Sequence, residues 1–574
     1  MVTPVAEGLK LSTRLWLKAV RAEYWLARTL LPDVYSNDAL ICFNSYAFMD
    51  DPDFQRAYQR GARALGDTDW YQWHWRVHVG LWAAASAGKI EGDFVECGVS
   101  YGFLSSAVME YLDWDGLGKT FYLLDTFAGL DPRFVTAGER ESGALEKSEE
   151  LVRNGMYGSS VDSVRANFSQ WRNQRIVVGA VPETLEQVDS DAVAFLHLDM
   201  NCAPPEVAAL RHFWPRLSPG AFVLLDDYAN RGRDEQRIAM DEVAAELGVR
   251  ICALPTGQGL LIKPPDRPGR RDLPGGHLSE VLPGIGEKQA PATNVASKWP
   301  LKFRIAWAAL RTAYWIPRKV LPDVYSDDAL ICFNSHAFME DPAFRRAYQR
   351  GVLALGGKDI HHWHWRVHVG LWAAATASAI EGDFVECGVS HGFLSSAVME
   401  YLDWDQLGKM FYLLDTFAGM DPRFVTAGER EAGALIKNQA ALDFGIYGSS
   451  VDGVRANFSQ WRNQRIVVGA VPETLEQVEA KSIAFLHIDM NCAPPEVATL
   501  RYFWPRLSPG ALVLLDDYAN RGRDDQRIAM DEVAHELGVQ IVALPTGQGL
   551  LVKPPEQPTQ PHLSAEHAES SRPG

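Results

Sequence analysis

The sequence predicts two tandem α/β domains, each a doubly wound, mostly parallel sheet preceded by a helical extension. The first observation behind this is a repeat. FVECGVSYGFLSSAVMEYLDWD begins at Phe94 and FVECGVSHGFLSSAVMEYLDWD at Phe384, 290 positions later, and the same interval separates the copies of LPDVYS, IVVGAVPETLEQV and LPTGQGLL. Solenoid units run to roughly 20–50 residues, so a period of this length is a domain rather than a repeat module. The 574 residues accommodate two large domains. The second observation is a series of short apolar runs in each copy. In the first copy they are DFVECGV from Asp93, TFYLLDTF from Thr120, RIVVGAV from Arg175, VAFLHLDM from Val193, AFVLLDDY from Ala221, VRICALPT from Val249 and GLLIKPP from Gly259. Continuous apolar strands alternating with helices such as PPEVAALRHFWPRL indicate a parallel sheet covered on both faces. The last two runs, joined through TGQG, read as a terminal antiparallel hairpin.

The predicted boundaries follow from these runs. Residues 1–264 form the first domain, with a helical extension over 1–90 and a core over 91–264. A Pro/Gly-rich linker spans 265–298, the second domain 299–555 with its core at 381–554, and a polar tail 556–574. Within the extension, LSTRLWLKAVRAEYWLARTLL carries apolar residues at helical spacing with basic residues between them, which suits packing on its own domain or on the partner half better than a membrane surface. The block ending WHWRVHVGLWAAASA reads as a second helix, with His78 and His368 as structural residues.

Composition excludes several classes. A net charge of −18 argues against a general nucleic-acid binder. The seven cysteines lack CxxC spacing, which suggests neither zinc nor a disulfide framework. No run approaches the ~20 apolar residues of a membrane span, and the N-terminus lacks signal-peptide form. A cytoplasmic protein acting on a small molecule is expected.

In an open α/β sheet, ligands sit beyond the carboxyl ends of the strands, and the polar residues of interest fall there. The first strand ends in Glu96-Cys97-Gly98, followed by a turn to Gly102 and a helix, so backbone and helix N–H groups face the rim. The spacing is GxxxG, which does not meet the dinucleotide fingerprint. Asp125 ends the second strand, where a carboxylate can accept from both ribose hydroxyls; capping the next turn is the plainer alternative. Asp199 ends the fourth strand, and Asp226 and Asp227 the fifth. Three crowded carboxylates need a proton or a cation, and all-oxygen ligands favour Mg²⁺. The alternative is that one or two of them cap loops or pair with Arg231 and Arg233. The second copy repeats the set as Asp489, Asp516 and Asp517. His197 shares the face of Asp199, as His487 does that of Asp489.

Taken together, GDFVECGV, LLDTFAGLDP, FLHLDM and LSPGAFVLLDDY resemble the macrocin O-methyltransferase (TylF/MycF-like) family over roughly Gly92–Pro264, and again over Gly382–Pro554. The resemblance implies a class I methyltransferase, Rossmann-like fold using S-adenosylmethionine. It places Glu96, Gly98, Ser100 and Gly102 along the methionine part of the donor and Asp125 on the ribose, with Glu386, Gly388, Ser390, Gly392 and Asp415 as counterparts. It assigns Mg²⁺ to Asp199, Asp226 and Asp227, and to Asp489, Asp516 and Asp517. One departure stands out. The family's Asp-x-Asp-x-Tyr after the fourth strand reads Asp199-Met200-Asn201-Cys202 here, so macrolide-sugar acceptors do not carry over.

The expected function is Mg-dependent O-methylation of a hydroxyl on a sugar, glycosylated metabolite or other small molecule. His197 or Asp199, and His487 or Asp489, would serve as the base. Both copies retain the set, so two working sites are expected, with the halves packed as a pseudo-dimer and further homo-oligomerisation open. The rivals are a non-catalytic pair of S-adenosylmethionine-binding domains and a nicotinamide-dependent oxidoreductase.

Overall fold

The computed structural model describes residues 34–36, 40–42, 45–67, 73–158, 160–230, 232–265, 324–326, 330–332, 334–357, 363–443, 445–448, 450–520 and 522–555. The expected amphipathic helices at the start of each copy, the linker after 265, the tail and Arg231 lie outside the described residues.

Two short strands open the first half, β1 (Val34–Ser36) and β2 (Leu40–Cys42). Its main sheet contains β3 (Asp93–Cys97), β4 (Phe121–Asp125), β5 (Gln174–Val178), β6 (Val193–Leu198), β7 (Leu217–Leu225), β8 (Cys252–Ala253) and β9 (Gly259–Ile262). The order across the sheet is β5-β4-β3-β6-β7-β9-β8. All seven apolar runs became strands. Pairing is parallel from β5 to β7, and β9 runs antiparallel to β7 and to β8, which is the expected hairpin. Every residue of β6 is buried, as a strand covered on both faces requires. Strand β4 stops at Asp125, short of the apolar run, because Phe127 turns into the left-handed region at φ 51°.

The winding reverses between β3 and β6. From β3 the chain moves outward through β4 and β5, then returns to β6 and continues to β7. That break opens a crevice beyond the strand ends, and register places Glu96 opposite His197 across it.

The second half repeats this architecture. It has β10 (Val324–Ser326), β11 (Leu330–Cys332), β12 (Asp383–Cys387), β13 (Phe411–Asp415), β14 (Gln464–Val468), β15 (Ile483–Ile488), β16 (Leu507–Leu515), β17 (Val542–Ala543) and β18 (Gly549–Val552). Its main sheet has the same order, β14-β13-β12-β15-β16-β18-β17.

The halves meet about a pseudo-twofold axis. Strands β1, β2, β11 and β10 form one four-stranded sheet in which Leu40 pairs with its own repeat equivalent, Leu330, as a twofold contact demands. The helices His74–Ala87 and His364–Ser378 cross the junction. Trp75 is wholly buried in the core of the second half, and Trp365 in that of the first. The Trp82 indole donates to the Gln540 carbonyl and that of Trp372 to the Arg250 carbonyl, both at 3.1 Å. His78 and His368 are core residues stacked on Phe48 and Phe338 at 4.0 Å. Burial pulls both imidazoles down to about 3, so they are neutral packing groups.

Trp365→Ala removes a fully buried indole, and about 3–5 kcal/mol of stability should go with it. Hydrogen exchange should quicken in β6 and β7 of the first half. Unchanged exchange there would show that Trp365 is not seated in that core.

Candidate functional site

The site is assembled from strand ends on either side of the switch point. Gly98 follows β3 at φ 95°, and a methyl group there would lie 1.9 Å from the Asp199 carbonyl oxygen. Only glycine lets these two loops pass. Ser100, at φ 52°, donates its backbone N–H to Asp125 Oδ2 at 2.7 Å. Gly102 caps the helix Phe103–Tyr111 at φ 81°, pressed against the Phe168 ring. Asp125 Oδ1 accepts from the Phe127 N–H at 2.6 Å. Asp125 therefore ties the end of β4 to the first turn. Oδ1 also accepts from the Thr126 hydroxyl at 3.4 Å, and burial raises the affinity of Asp125 for a proton. Both readings of this residue, turn brace and ribose acceptor, fit the same placement.

Glu96 and His197 form a buried pair, with Nδ1 2.9 Å from Oε1 and each side chain no more than 4% exposed. The other oxygen of Glu96 is buried with no protein hydrogen bond, as is Oε2 of Glu386. A buried carboxylate oxygen left in this state is costly. It suits a ligand cation or ammonium at the mouth of the crevice. His197 Nε2 lies 3.9 Å from Asp226 Oδ1. Burial alone would lower the imidazole, but Asp226 and Glu96 carry it above its ordinary value, to about 10. The ring thus stands between two acids that favour its protonated form. His487 stands in the same arrangement with Glu386 and Asp516.

The acidic rim contains a residue that the sequence reading passed over. Arg76 is the one charged side chain of the helix His74–Ala87. Its Nη1 lies 2.6 Å from Asp226 Oδ2 and 3.2 Å from Asp227 Oδ1. Its Nη2 donates to Asn230 Oδ1 at 2.8 Å and its Nε to the Thr256 carbonyl at 3.2 Å. Gln258 donates to Asp226 Oδ1 at 3.1 Å, Asn230 donates to Asp227 Oδ1, and Arg233 Nη2 stands 3.5 Å from Asp227 Oδ2. Burial opposes the charge on Asp226, yet Arg76 and His197 hold its carboxyl well below the usual range. Among the described residues Asp199 has no such partner; its Oδ1 accepts from the Asn201 amide at 3.0 Å. Burial and the nearby Asp226 and Asp227 push its proton affinity well up. Glu206, also unforeseen, is buried and accepts from the Met200 and Asn201 N–H groups and from Gln236. Burial raises it to about 8. Arg76 and its equivalent Arg366 were detectable in sequence as the lone repeated charge in an otherwise uncharged helix.

This arrangement bears on the expected magnesium centre. Asp199, Asp226 and Asp227 do come to one rim, but both oxygens of Asp226 and of Asp227 are engaged by Arg76, Gln258, Asn230 and Arg233. Among the described residues, no group of three or more His, Cys, Asp or Glu side chains is arranged to hold a metal. The donor set as placed does not fit an ion held by three carboxylates. Asp489, Asp516 and Asp517 follow suit, with Arg366 Nη1 2.7 Å from Asp516 and 3.1 Å from Asp517.

In the second half a cavity of about 430 Å³ runs along the crevice. Glu386, Gly388, Ser390 and Asp415 line one side, and His487, Asp489 and Asp516 the other. A smaller cavity of about 100 Å³ lies between Gly98, Ser100, Asp125 and Asp199 in the first half.

A profile of the macrocin-O-methyltransferase (TylF) family matches residues 81–249 and 369–541. Among curated proteins, the chain is 32% identical over 149 residues to 8-demethyl-8-(2,3-dimethoxy-alpha-L-rhamnosyl)-tetracenomycin-C 4'-O-methyltransferase of Streptomyces olivaceus, covering 25% of this chain and 55% of that protein. It is 26% identical over 147 residues to mycinamicin III 3''-O-methyltransferase of Micromonospora griseorubida, covering 24% and 56%. The chain thus spans about half the length of the curated relatives it matches. Among solved structures, the O-methyltransferase NovP aligns at 21% identity and a TM-score of 0.30, covering 38% of this chain and 93% of NovP. The profile spans more than half of the chain and falls once in each copy, so the protein belongs to the macrocin-O-methyltransferase family, twice over in one polypeptide.

Proposed function

We propose that the protein is an S-adenosylmethionine-dependent O-methyltransferase acting on a hydroxyl of a sugar, glycosylated metabolite or other small molecule, with one site in each half. The observation that carries this reading is the second-half cavity. One continuous space, within the roughly 300–1,000 Å³ of small-molecule sites, joins the turn after β12 to the acidic rim at the ends of β15 and β16. Family membership supports the same reading.

The donor fits the chain's own residues. The Gly98 and Gly388 turns leave the backbone open to a ligand. The free oxygens of Glu96 and Glu386 suit its ammonium group, and the carboxylates of Asp125 and Asp415, at the ends of β4 and β13, suit its ribose. The bound sulfonium supplies an already activated methyl group, so the protein's tasks are alignment and removal of the acceptor proton. Asp199 and Asp489 are the proposed proton acceptors. Among the described residues they are the rim carboxylates with no arginine at ion-pair distance, and their raised proton affinity is the direction a general base requires. Arg76 and Arg366 hold the neighbouring acids as anions and fix the shape of the rim. No step is assigned to magnesium. Among the described residues no helix is long and apolar enough to cross a membrane, and a cytoplasmic location is part of the proposal.

Replacing both Asp199 and Asp489 by Asn should lower methyl transfer by about 10²–10⁴-fold, the usual contribution of a general base. Binding of S-adenosylhomocysteine should persist. Equal loss of both would move these residues from the chemistry to the donor pocket. Treatment with EDTA should leave turnover unchanged, because arginine already occupies the rim acids. Loss on chelation that Mg²⁺ restores would reinstate the three-carboxylate centre.

A further inference from the structure

The acid–arginine cluster of the first half has a neighbour from the second. Asn334, two residues beyond the end of β11, is 6% exposed and donates its side-chain amide to the Pro255 carbonyl at 2.6 Å. It forms a bridge with Asn230, the residue that accepts from Arg76. The next residue, Ser335, donates its N–H to the Ala229 carbonyl at 2.5 Å. These contacts bracket the loop that follows Asp226 and Asp227. Gly257 shows how tightly the groups converge. A methyl group there would lie 2.3 Å from Asn230 Oδ1, 2.8 Å from Asn334 Oδ1 and 3.0 Å from Arg76 Nη2. Three side chains, one of them from the other half, close around a single glycine that sits at φ 88°.

The reverse contact exists as well. Ser45 of the first half donates to the Ala519 carbonyl at 2.5 Å, beside Asp516 and Asp517. Arg76 itself follows Trp75, which is buried in the core of the second half. The guanidinium thus reaches into its own site from a backbone anchored in the opposite one.

We propose that each acidic rim is held in its working shape by the opposite half, and that Asn334 is a positioning residue for the first site although it lies in the second copy. Asn334 touches neither donor nor acceptor. It fixes the Asp226–Asn230 loop on which Arg76 closes, and a rim displaced by a fraction of an ångström misplaces the acceptor oxygen. The two copies are then interdependent rather than independent units on a string.

The inference rests on the methyl-transfer reading, and its test separates the two. In the full chain, Asp489→Asn silences the second site and leaves the first to be measured, while Asp199→Asn does the converse. Asn334→Ala added to the Asp489→Asn chain should lower kcat by about tenfold to a hundredfold, the scale of a misplaced reactant, with KM for S-adenosylmethionine unchanged. Added to the Asp199→Asn chain, it should leave turnover as it was. Asn334→Asp, which keeps the size but loses the donor to Pro255, should behave as Ala does, whereas a purely space-filling role would let Asp restore activity. A loss confined to the Asp199→Asn chain, or no loss in either, overturns the inference while methyl transfer stands. Absence of transfer in the unmodified chain points instead at the functional reading. The inference is then decided by hydrogen exchange, which should quicken over 226–230 and not over 516–520 in Asn334→Ala; unchanged exchange over 226–230 overturns it.

Discussion

The structure depends on how a cluster of buried carboxylates is compensated. Glu96, Asp199, Asp226, Asp227 and Glu206 gather around one switch point in the sheet, and the second half gathers the same set. Removing such charges from water costs more than any single pair returns unless the geometry is good and the remaining lone pairs are satisfied. Here one guanidinium spans Asp226 and Asp227, an imidazole stands between Asp226 and Glu96, and backbone N–H groups serve Glu206. What is left over defines the site. Among the described residues Asp199 has no arginine or lysine at ion-pair distance, and Glu96 has an oxygen with no protein hydrogen bond. A fully compensated rim would be inert, and these two groups are where the proposed donor and acceptor would bind.

The interface between halves belongs to the same electrostatic problem. A guanidinium worth its desolvation must be held rigidly, and Arg76 is held because Trp75 beside it is locked into the neighbouring core. The pseudo-twofold sheet through Leu40 and Leu330 and the crossed Trp75 and Trp365 make one hydrophobic unit of two copies. Fusion of the copies keeps the stoichiometry of that unit fixed, whatever the concentration of the chain.

Much of this was legible from the residues. The seven strands per half, their parallel order and the terminal hairpin follow from apolar runs, because a strand buried on both faces must be apolar throughout. The positions of Gly98, Asp125, Asp199 and Asp226 at strand ends follow from the same runs. What sequence could not supply was pairing across long separations. Arg76 meets Asp226 from 150 positions away, and Asn334 meets Asn230 from the other copy. Neither distance leaves a trace in periodicity or spacing. The carboxylates were therefore read as awaiting a metal, when a guanidinium from a helix assigned to packing already faced them. The two acids beside His197, one on β3 and one after β7, are likewise remote from it along the chain.

The most direct test of the account is a calorimetric titration of the full chain with S-adenosylhomocysteine, alone and with Glu96 and Glu386 both replaced by Gln. The account predicts one molecule bound per half in the unmodified chain and markedly weaker binding in the doubly substituted one, since the buried oxygen that meets the ligand's ammonium group loses its charge. No binding to the unmodified chain, or binding indifferent to both substitutions, would contradict it.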